Sequence, residues 1–117
     1  MQSPFTTFAT SMFVDREAVV EQLRGAAKKL REEHPEVRAV YCFGSFAGGI
    51  PTPRSDADVL VMIGSSDRPM HQRAAFFVDY FLDVSVPVDL FVSTLDEWEH
   101  AQGGVVAAAR RGFRLEE

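Results

Sequence analysis

The sequence predicts a small α/β (α+β) domain in which a mixed β-sheet of three or more strands is flanked by helices. An amphipathic helical period covers residues 15–33, and three apolar runs of strand length follow it. At 117 residues, with 46% hydrophobic side chains, the chain is long enough for one domain with its own core. We expect that domain over residues 15–115, after an N-terminal segment, 1–14, whose order the sequence leaves open.

The first predicted elements are a helix and an antiparallel strand pair. Asp15 is a good N-cap, and apolar residues recur at helical spacing up to residue 33. Strands are predicted over residues 37–43 and 56–63. The loop between them is rich in Gly and Pro and too short for a helical crossover, so the two strands should be antiparallel.

A helix and a third strand are predicted next. Residues 69–82 begin with a turn and an early proline, and their apolar residues fall on one helical face. Residues 84–92 form an apolar run that predicts the third strand. Pro87 lies in this run and cannot donate a ladder hydrogen bond, so the first half of the strand should be at an edge or a bulge.

The last part of the chain predicts two short helices. Thr94 and Glu97 match a capping box that opens a third helix. A further helix over residues 105–111 should end at the following glycine. We expect residues 113–115 to dock on the body of the domain and residues 116–117 to be free.

The most informative motif is Gly44-Ser45 followed, after ten residues, by Asp56-Ala57-Asp58. A strand runs into the Gly-Ser turn, and another carries the two aspartates. Because successive strand side chains alternate between faces, the two aspartates share a face with backbones about 7 Å apart. Asp89 is a third carboxylate inside an apolar strand, where a solitary charge is costly.

Three clustered carboxylates predict a metal site if the strand of Asp89 pairs beside that of Asp58. None of the motif's fixed residues is Lys or Arg, and like charges this close favour protonation unless a divalent cation lies among them. Oxygen-only ligation suits Mg²⁺ or Mn²⁺, which also take substrate phosphates as ligands. At Gly44 the backbone N–H groups can approach a phosphate, and Ser45 adds a hydroxyl donor.

With these residues the chain resembles the minimal nucleotidyltransferases (MNT) of the DNA polymerase beta superfamily. The family pattern is Gly-Ser, ten residues, Asp-x-Asp and a later Asp in an apolar strand, matched here by Gly44, Ser45, Asp56, Asp58 and Asp89. The resemblance implies that the three aspartates are the catalytic residues and bind Mg²⁺. It also implies that the Gly-Ser turn holds a nucleoside triphosphate, that a nucleoside monophosphate is transferred to a hydroxyl, and that Asp89 receives the proton.

One position departs from the family pattern. The family commonly has arginine where this chain has Gly48, so a cation near the loop or the phosphates is missing. Arg54 is a candidate substitute, although an ordinary surface arginine is the simpler interpretation. The departure predicts reduced activity or dependence on a partner.

Three functions remain open. Small family members are often paired with a HEPN-type toxin, and the resemblance implies an antitoxin that attaches AMP from ATP to a tyrosine of that toxin. The phenylalanine-rich segments 5–13 and 76–81 would provide its docking surface, unless they are plain core. The alternatives are nucleotidyl transfer to a small molecule such as an aminoglycoside, with a homo-oligomer building the acceptor pocket, and a catalytically weak module that binds nucleotide or masks a partner.

Composition narrows the partners and the location. The net charge of −5 argues against a general nucleic-acid binder. The apolar runs are too short to span a membrane and the N-terminus lacks the pattern of a signal peptide, so we expect no membrane association and a cytoplasmic location. The single cysteine, Cys42, should be a buried thiol.

Overall fold

The computed structural model describes residues 15–48 and 55–117. The predicted segment 1–14 and Arg54 therefore lie outside the described residues. Within them the chain forms, in order, α1 (Arg16–Glu33), β1 (Val37–Phe43), α2 (Ser45–Gly48), β2 (Ala57–Ile63), α3 (Met70–Arg73), two 3₁₀ turns (Ala74–Phe76 and Val78–Phe81), β3 (Val88–Thr94), α4 (Leu95–His100), α5 (Gly104–Arg110) and β4 (Phe113–Arg114).

The sheet has four strands in the order β3-β2-β1-β4. β1 is antiparallel to β2 and to β4, whereas β2 and β3 are parallel, so the sheet is mixed as predicted. The antiparallel pairing of β1 with β2 was likewise predicted correctly from the short loop between them. The sequence did not predict β4, which pairs with β1 through only two residues and is too short to leave a periodic signal.

Two hydrophobic clusters pack on the two faces of the sheet. The first lies between the sheet, α1 and the 3₁₀ turns, and its largest fully buried side chains include Leu23, Leu30, Phe46, Val59 and Leu115. The second, under α4 and α5, contains Ala39, Phe43, Leu60, Met62, Val106 and Ala109. The sheet is therefore covered on both sides by helices. No helix within residues 15–48 and 55–117 has the length and apolar character needed to cross a membrane.

The helix α1 forms as predicted. The side chain of Asp15 accepts a hydrogen bond from the backbone N–H of Ala18 at 3.1 Å, which satisfies one of the free donors of the first turn. The helix ends at Glu33, before the proline at position 35. Its buried residues recur at helical spacing: Val19, Val20, Leu23, Ala27 and Leu30.

Two predicted boundaries were wrong. The continuous helix over residues 69–82 is instead α3 and the two 3₁₀ turns, and the chain leaves helical geometry at Phe77, with φ −125° and ψ −8°. The aromatic and β-branched residues in this stretch favour a helix only weakly. The strand predicted from residue 84 starts at Val88, because Pro87 has no N–H for the ladder. β3 is an edge strand within the described part of the sheet, as that proline indicated.

The C-terminus is more firmly attached than predicted. The capping box of Thr94 and Glu97 is present at the start of α4. Glu116, which we expected to be free, has a fully buried side chain that accepts a hydrogen bond from the Val40 N–H at 2.8 Å. It also forms an ion pair with Arg114 at 2.7 Å. These contacts hold the end of the chain against β1.

Candidate active site

The structure brings the predicted site residues to one end of the sheet. Asp58 and Asp89 are each the second residue of their strand, and the parallel register places them opposite each other. Asp56 lies just before β2, and its charge acts on Asp58, so the two carboxylates are near each other. Phe43, the last residue of β1, pairs with Asp58. The turn that begins at Gly44 therefore lies at the same end.

Asp58 is held by the most deeply buried strand of the sheet. Every residue of β2 is buried apart from Asp58, which is half-buried. Asp56 and Asp89 are exposed. A central strand packed on both faces moves little, so the backbone position of Asp58 is well fixed. The other two carboxylates are open to solvent beside it and accessible to a ligand.

Gly44 fits this site because it has no side chain. Its φ of +75° is in the left-handed region, which favours glycine. A Cβ built on Gly44 would overlap the Oδ2 atom of Asp58. Any larger residue would therefore strain the turn and displace the carboxylate. The close approach of Gly44 to Asp58 links the Gly-Ser turn directly to the carboxylates.

The electrostatics of the three aspartates are unfavourable in the isolated chain. Burial raises the pKa of Asp58 above its ordinary value of 3.8, and the charges of Asp89 and Asp56 raise it further. No ion pair joins any of the three to a cation among the described residues. The cluster therefore carries negative charge that a bound cation would stabilise.

The donor chemistry of this cluster suits a divalent cation such as Mg²⁺. Its side chains offer carboxylate oxygens only, which magnesium prefers. As they stand, no three His, Cys, Asp or Glu side chains in residues 15–48 and 55–117 are close enough together to form a metal site. The fit of these aspartates to a cation therefore rests on the chemistry of their oxygens and, for Asp58 and Asp89, on the strand register that places them opposite each other.

The face of the sheet that carries Asp58 and Asp89 is rich in aromatic side chains. Strand alternation places Phe43 and Phe91 on this face, and their ring centroids lie 5.9 Å apart. Phe43 is only 6% exposed. Because Phe43 pairs with Asp58 across the two strands, an aromatic residue neighbours this aspartate on the same face. The alternation of aromatic residues along β1 was a visible signal that the sequence analysis did not use.

A second charged cluster, which the sequence analysis missed, lies at the opposite end of β3. The buried guanidinium of Arg73 forms an ion pair with Glu97 at 2.6 Å and donates to the carbonyl oxygen of Val92 at 3.0 Å. The hydrogen bond from Arg73 lowers the pKa of the Glu97 carboxyl, and bonds from Thr94 lower it further. This cluster attaches α3 to β3 and α4, away from the aspartates.

A crystal structure shares this fold. The protein comes from Sulfolobus solfataricus, is assigned to the nucleotidyltransferases and was solved at 1.40 Å resolution. It superposes with a TM-score of 0.61 over 72% of this chain and 74% of that chain, with 20% sequence identity. At this identity the likeness concerns the fold. No curated protein matches the chain.

The sequence also matches a family model. The model, described as nucleotidyltransferase domain, covers residues 23–108, which is well over half of the chain. The matched region includes the Gly-Ser turn and all three aspartates. It also includes β1, β2 and β3, which bring these residues to one end of the sheet. The chain therefore belongs to the nucleotidyltransferase domain family.

Proposed function

We propose that this nucleotidyltransferase uses divalent cations to transfer a nucleoside monophosphate from a nucleoside triphosphate to an acceptor hydroxyl. The observation that carries the proposal is the register pairing of Asp58 with Asp89 beside the turn at Gly44. The acceptor oxygen forms a bond to the α-phosphorus, and the bond from that phosphorus to the oxygen bridging to the β-phosphate breaks. Pyrophosphate leaves with the electron pair of that bond.

Each site residue has a role in this reaction. Asp56, Asp58 and Asp89 would hold Mg²⁺ or Mn²⁺, which would supply positive charge against the triphosphate and activate the acceptor oxygen. The N–H groups and hydroxyl of Gly44 and Ser45 donate to the phosphates. Asp89 receives the proton of the acceptor hydroxyl, because it is the exposed carboxylate fixed by the edge strand.

The donor and acceptor belong to the same proposal. The donor is ATP, and the acceptor is a tyrosine of a HEPN-type toxin, so that the chain acts as an antitoxin. The resemblance to minimal nucleotidyltransferases supports this, and so does the exposure of Asp56 and Asp89. A carboxylate site open to solvent can receive a side chain presented by another protein.

A catalytically weak module that binds nucleotide is the second candidate. It is favoured because, among the described residues, no three His, Cys, Asp or Glu side chains are placed to hold a metal ion. It is also favoured by Gly48, where the resembling family commonly has arginine. The clustered charge of Asp56, Asp58 and Asp89 opposes it, since binding alone makes little use of three mutually repelling carboxylates.

The test is to incubate the protein with each of the four α-labelled nucleoside triphosphates and Mg²⁺, alone and with a HEPN-type toxin. Label should appear on the toxin from ATP, with stoichiometric pyrophosphate, and should disappear in Asp58→Asn. Asp83→Asn, an exposed aspartate outside the site, is the matched control and should label normally. Nucleotide binding without label or pyrophosphate under any condition would favour the binding module.

A further inference from the structure

Arg16 connects the start of α1 to the Gly-Ser turn. It is the first residue of α1, directly after the N-cap Asp15, so the backbone at its position is fixed. Its Nε donates a hydrogen bond to the carbonyl oxygen of Phe46 at 2.9 Å. Phe46 belongs to α2, the helix that starts at Ser45. Two residues 30 positions apart in sequence are therefore tied together beside the candidate site.

The helix α2 depends on such outside contacts. It has four residues, far fewer than a helix needs to be stable by itself. Its own closing bonds run from the N–H groups of Ala47 and Gly48 to one acceptor, the carbonyl oxygen of Gly44, at 3.0 and 3.2 Å. The buried ring of Phe46 anchors one side of it. Within the described residues, the bond from Arg16 holds the carbonyl oxygen of Phe46 on another side of the helix.

Arg16 also brings positive charge to this end of the molecule. It forms no ion pair with a carboxylate among residues 15–48 and 55–117. Burial raises the pKa of the Cys42 thiol to about 11, the charge of Arg16 and, less strongly, that of Arg24 oppose that rise, and the charge of Asp58 adds to it. The positive charge of Arg16 and the negative charge of Asp58 thus both reach the Cys42 thiol and shift its pKa in opposite directions.

We propose that Arg16 is a positioning residue for the transfer proposed above: its guanidinium holds α2, and with it the Gly-Ser turn, against the Asp58 end of the sheet. This inference rests on the proposed function. Arg16 acts through the backbone of Phe46, and its charge favours the approach of the triphosphate without any assigned contact to it.

Arg24 provides a matched control on the same helix. Both arginines lie over the ring of Phe113, at 5.8 Å for Arg16 and 5.4 Å for Arg24. Both donate to a backbone carbonyl, but Arg24 donates to that of Arg114 in β4, at 3.2 Å. Arg16→Ala and Arg24→Ala therefore lose the same charge, the same kind of ring contact and the same kind of hydrogen bond. Only Arg16→Ala loses the bond to α2.

The experiment measures amide hydrogen exchange at Ala47 and Gly48 by NMR, and kcat and KM for ATP, in both variants. We expect Arg16→Ala to exchange about five- to tenfold faster at these two amides and to lose a similar factor in kcat/KM, mainly through KM, as fits the loss of one hydrogen bond. Arg24→Ala should match the unsubstituted protein in both. Arg16→Lys, which keeps a donor and the charge, should recover part of the loss.

The outcomes separate this inference from the proposed function. Equal exchange at Ala47 and Gly48 in the two alanine variants, or an unchanged kcat/KM in Arg16→Ala, overturns the role of Arg16 while leaving transfer intact. Absence of both binding and transfer in the unsubstituted protein overturns the proposed function and, with it, any role of Arg16 in transfer. Faster exchange confined to Arg16→Ala would then show only that Arg16 organises α2.

Discussion

The two ends of the parallel β2–β3 pair carry charged groups in opposite circumstances. At one end Asp58 and Asp89 face each other, neither forms an ion pair within the described residues, and the pKa of Asp58 is raised. At the other end Arg73 and Glu97 form a close ion pair, and the pKa of Glu97 is lowered. The charges of Arg73 and Glu97 neutralise each other within the chain. The negative charge of the aspartates is not neutralised by an ion pair in the described part of the chain and can attract a ligand, which is typical of a functional site.

Removing the carboxylate proposed as the base should give the largest effect. Asp89→Asn should lower kcat for nucleotidyl transfer by about 100-fold or more, because the acceptor hydroxyl loses its proton acceptor and the cation one ligand. The melting temperature should stay close to that of the unsubstituted protein, since Asp89 is exposed. Pyrophosphate release measures kcat, and thermal unfolding measures the melting temperature. Full turnover in this variant would remove Asp89 from the mechanism.

Breaking the ion pair at the opposite end should lower the stability of the fold and leave the activity unchanged. Arg73→Ala should lower the free energy of unfolding by about 3 kcal/mol, because it removes a buried partner and leaves the carbonyl of Val92 without its donor. Urea unfolding measures this change. Activity per folded molecule should be kept, since Arg73 lies away from the aspartates. A loss of activity as large as that of Asp89→Asn would show that the two ends are coupled.

A substitution at the turn should affect stability and activity together. Gly44→Ala should cost about 1–2 kcal/mol from its left-handed backbone alone, and it should displace the Asp58 carboxylate and so reduce transfer. Gly48→Ala is the control, because a Cβ there meets nothing within 4 Å. Calorimetry of unfolding and of nucleotide binding compares the two variants. Similar effects at both glycines would mean that the contact between Gly44 and Asp58 has no special role.

The comparison also shows what the sequence reveals and what it conceals. The end with Asp58 was predictable, because the Gly-Ser spacing and the alternation along β2 are local patterns. The pairing of Asp58 with Asp89 needed only the assumption that their strands are neighbours. The pair of Arg73 and Glu97 was not predictable, since the two residues are 24 positions apart and each resembles an ordinary surface charge on a helix.

Other errors have the same origin. The burial of Glu116 depends on Arg31 and on the backbone of Val40, 76 or more positions away. Phe77, where the predicted helix breaks, is buried in the core beside residues distant in sequence, and helical spacing alone permitted a continuous helix. The contact of Arg16 with α2 was equally hidden. Local patterns thus predicted which residues meet at this end of the sheet, while distant contacts determine what holds them there.

The smallest expected effect concerns the stability cost of Asp58. Because its pKa is raised in the folded chain, folding favours the protonated carboxyl, so its contribution to stability is fully present below the ordinary value of 3.8 and is lost as pH rises through the folded pKa. Asp58→Asn should therefore unfold a few degrees above the unsubstituted protein near neutral pH. This gain should shrink as the pH falls towards 3.8.

Magnesium should change the difference in melting temperature between the unsubstituted protein and Asp58→Asn. A cation among the aspartates relieves their repulsion, so Mg²⁺ should raise the melting temperature of the unsubstituted protein more than that of Asp58→Asn and narrow the gap between them. Thermal unfolding across the pH range, with and without Mg²⁺, measures both effects. Arg73→Ala should show the same response to Mg²⁺ as the unsubstituted protein. If Mg²⁺ raises the melting temperature of Asp58→Asn as much as that of the unsubstituted protein, then Mg²⁺ stabilises the protein by binding elsewhere. The aspartates at this end of the sheet would then not be a cation site.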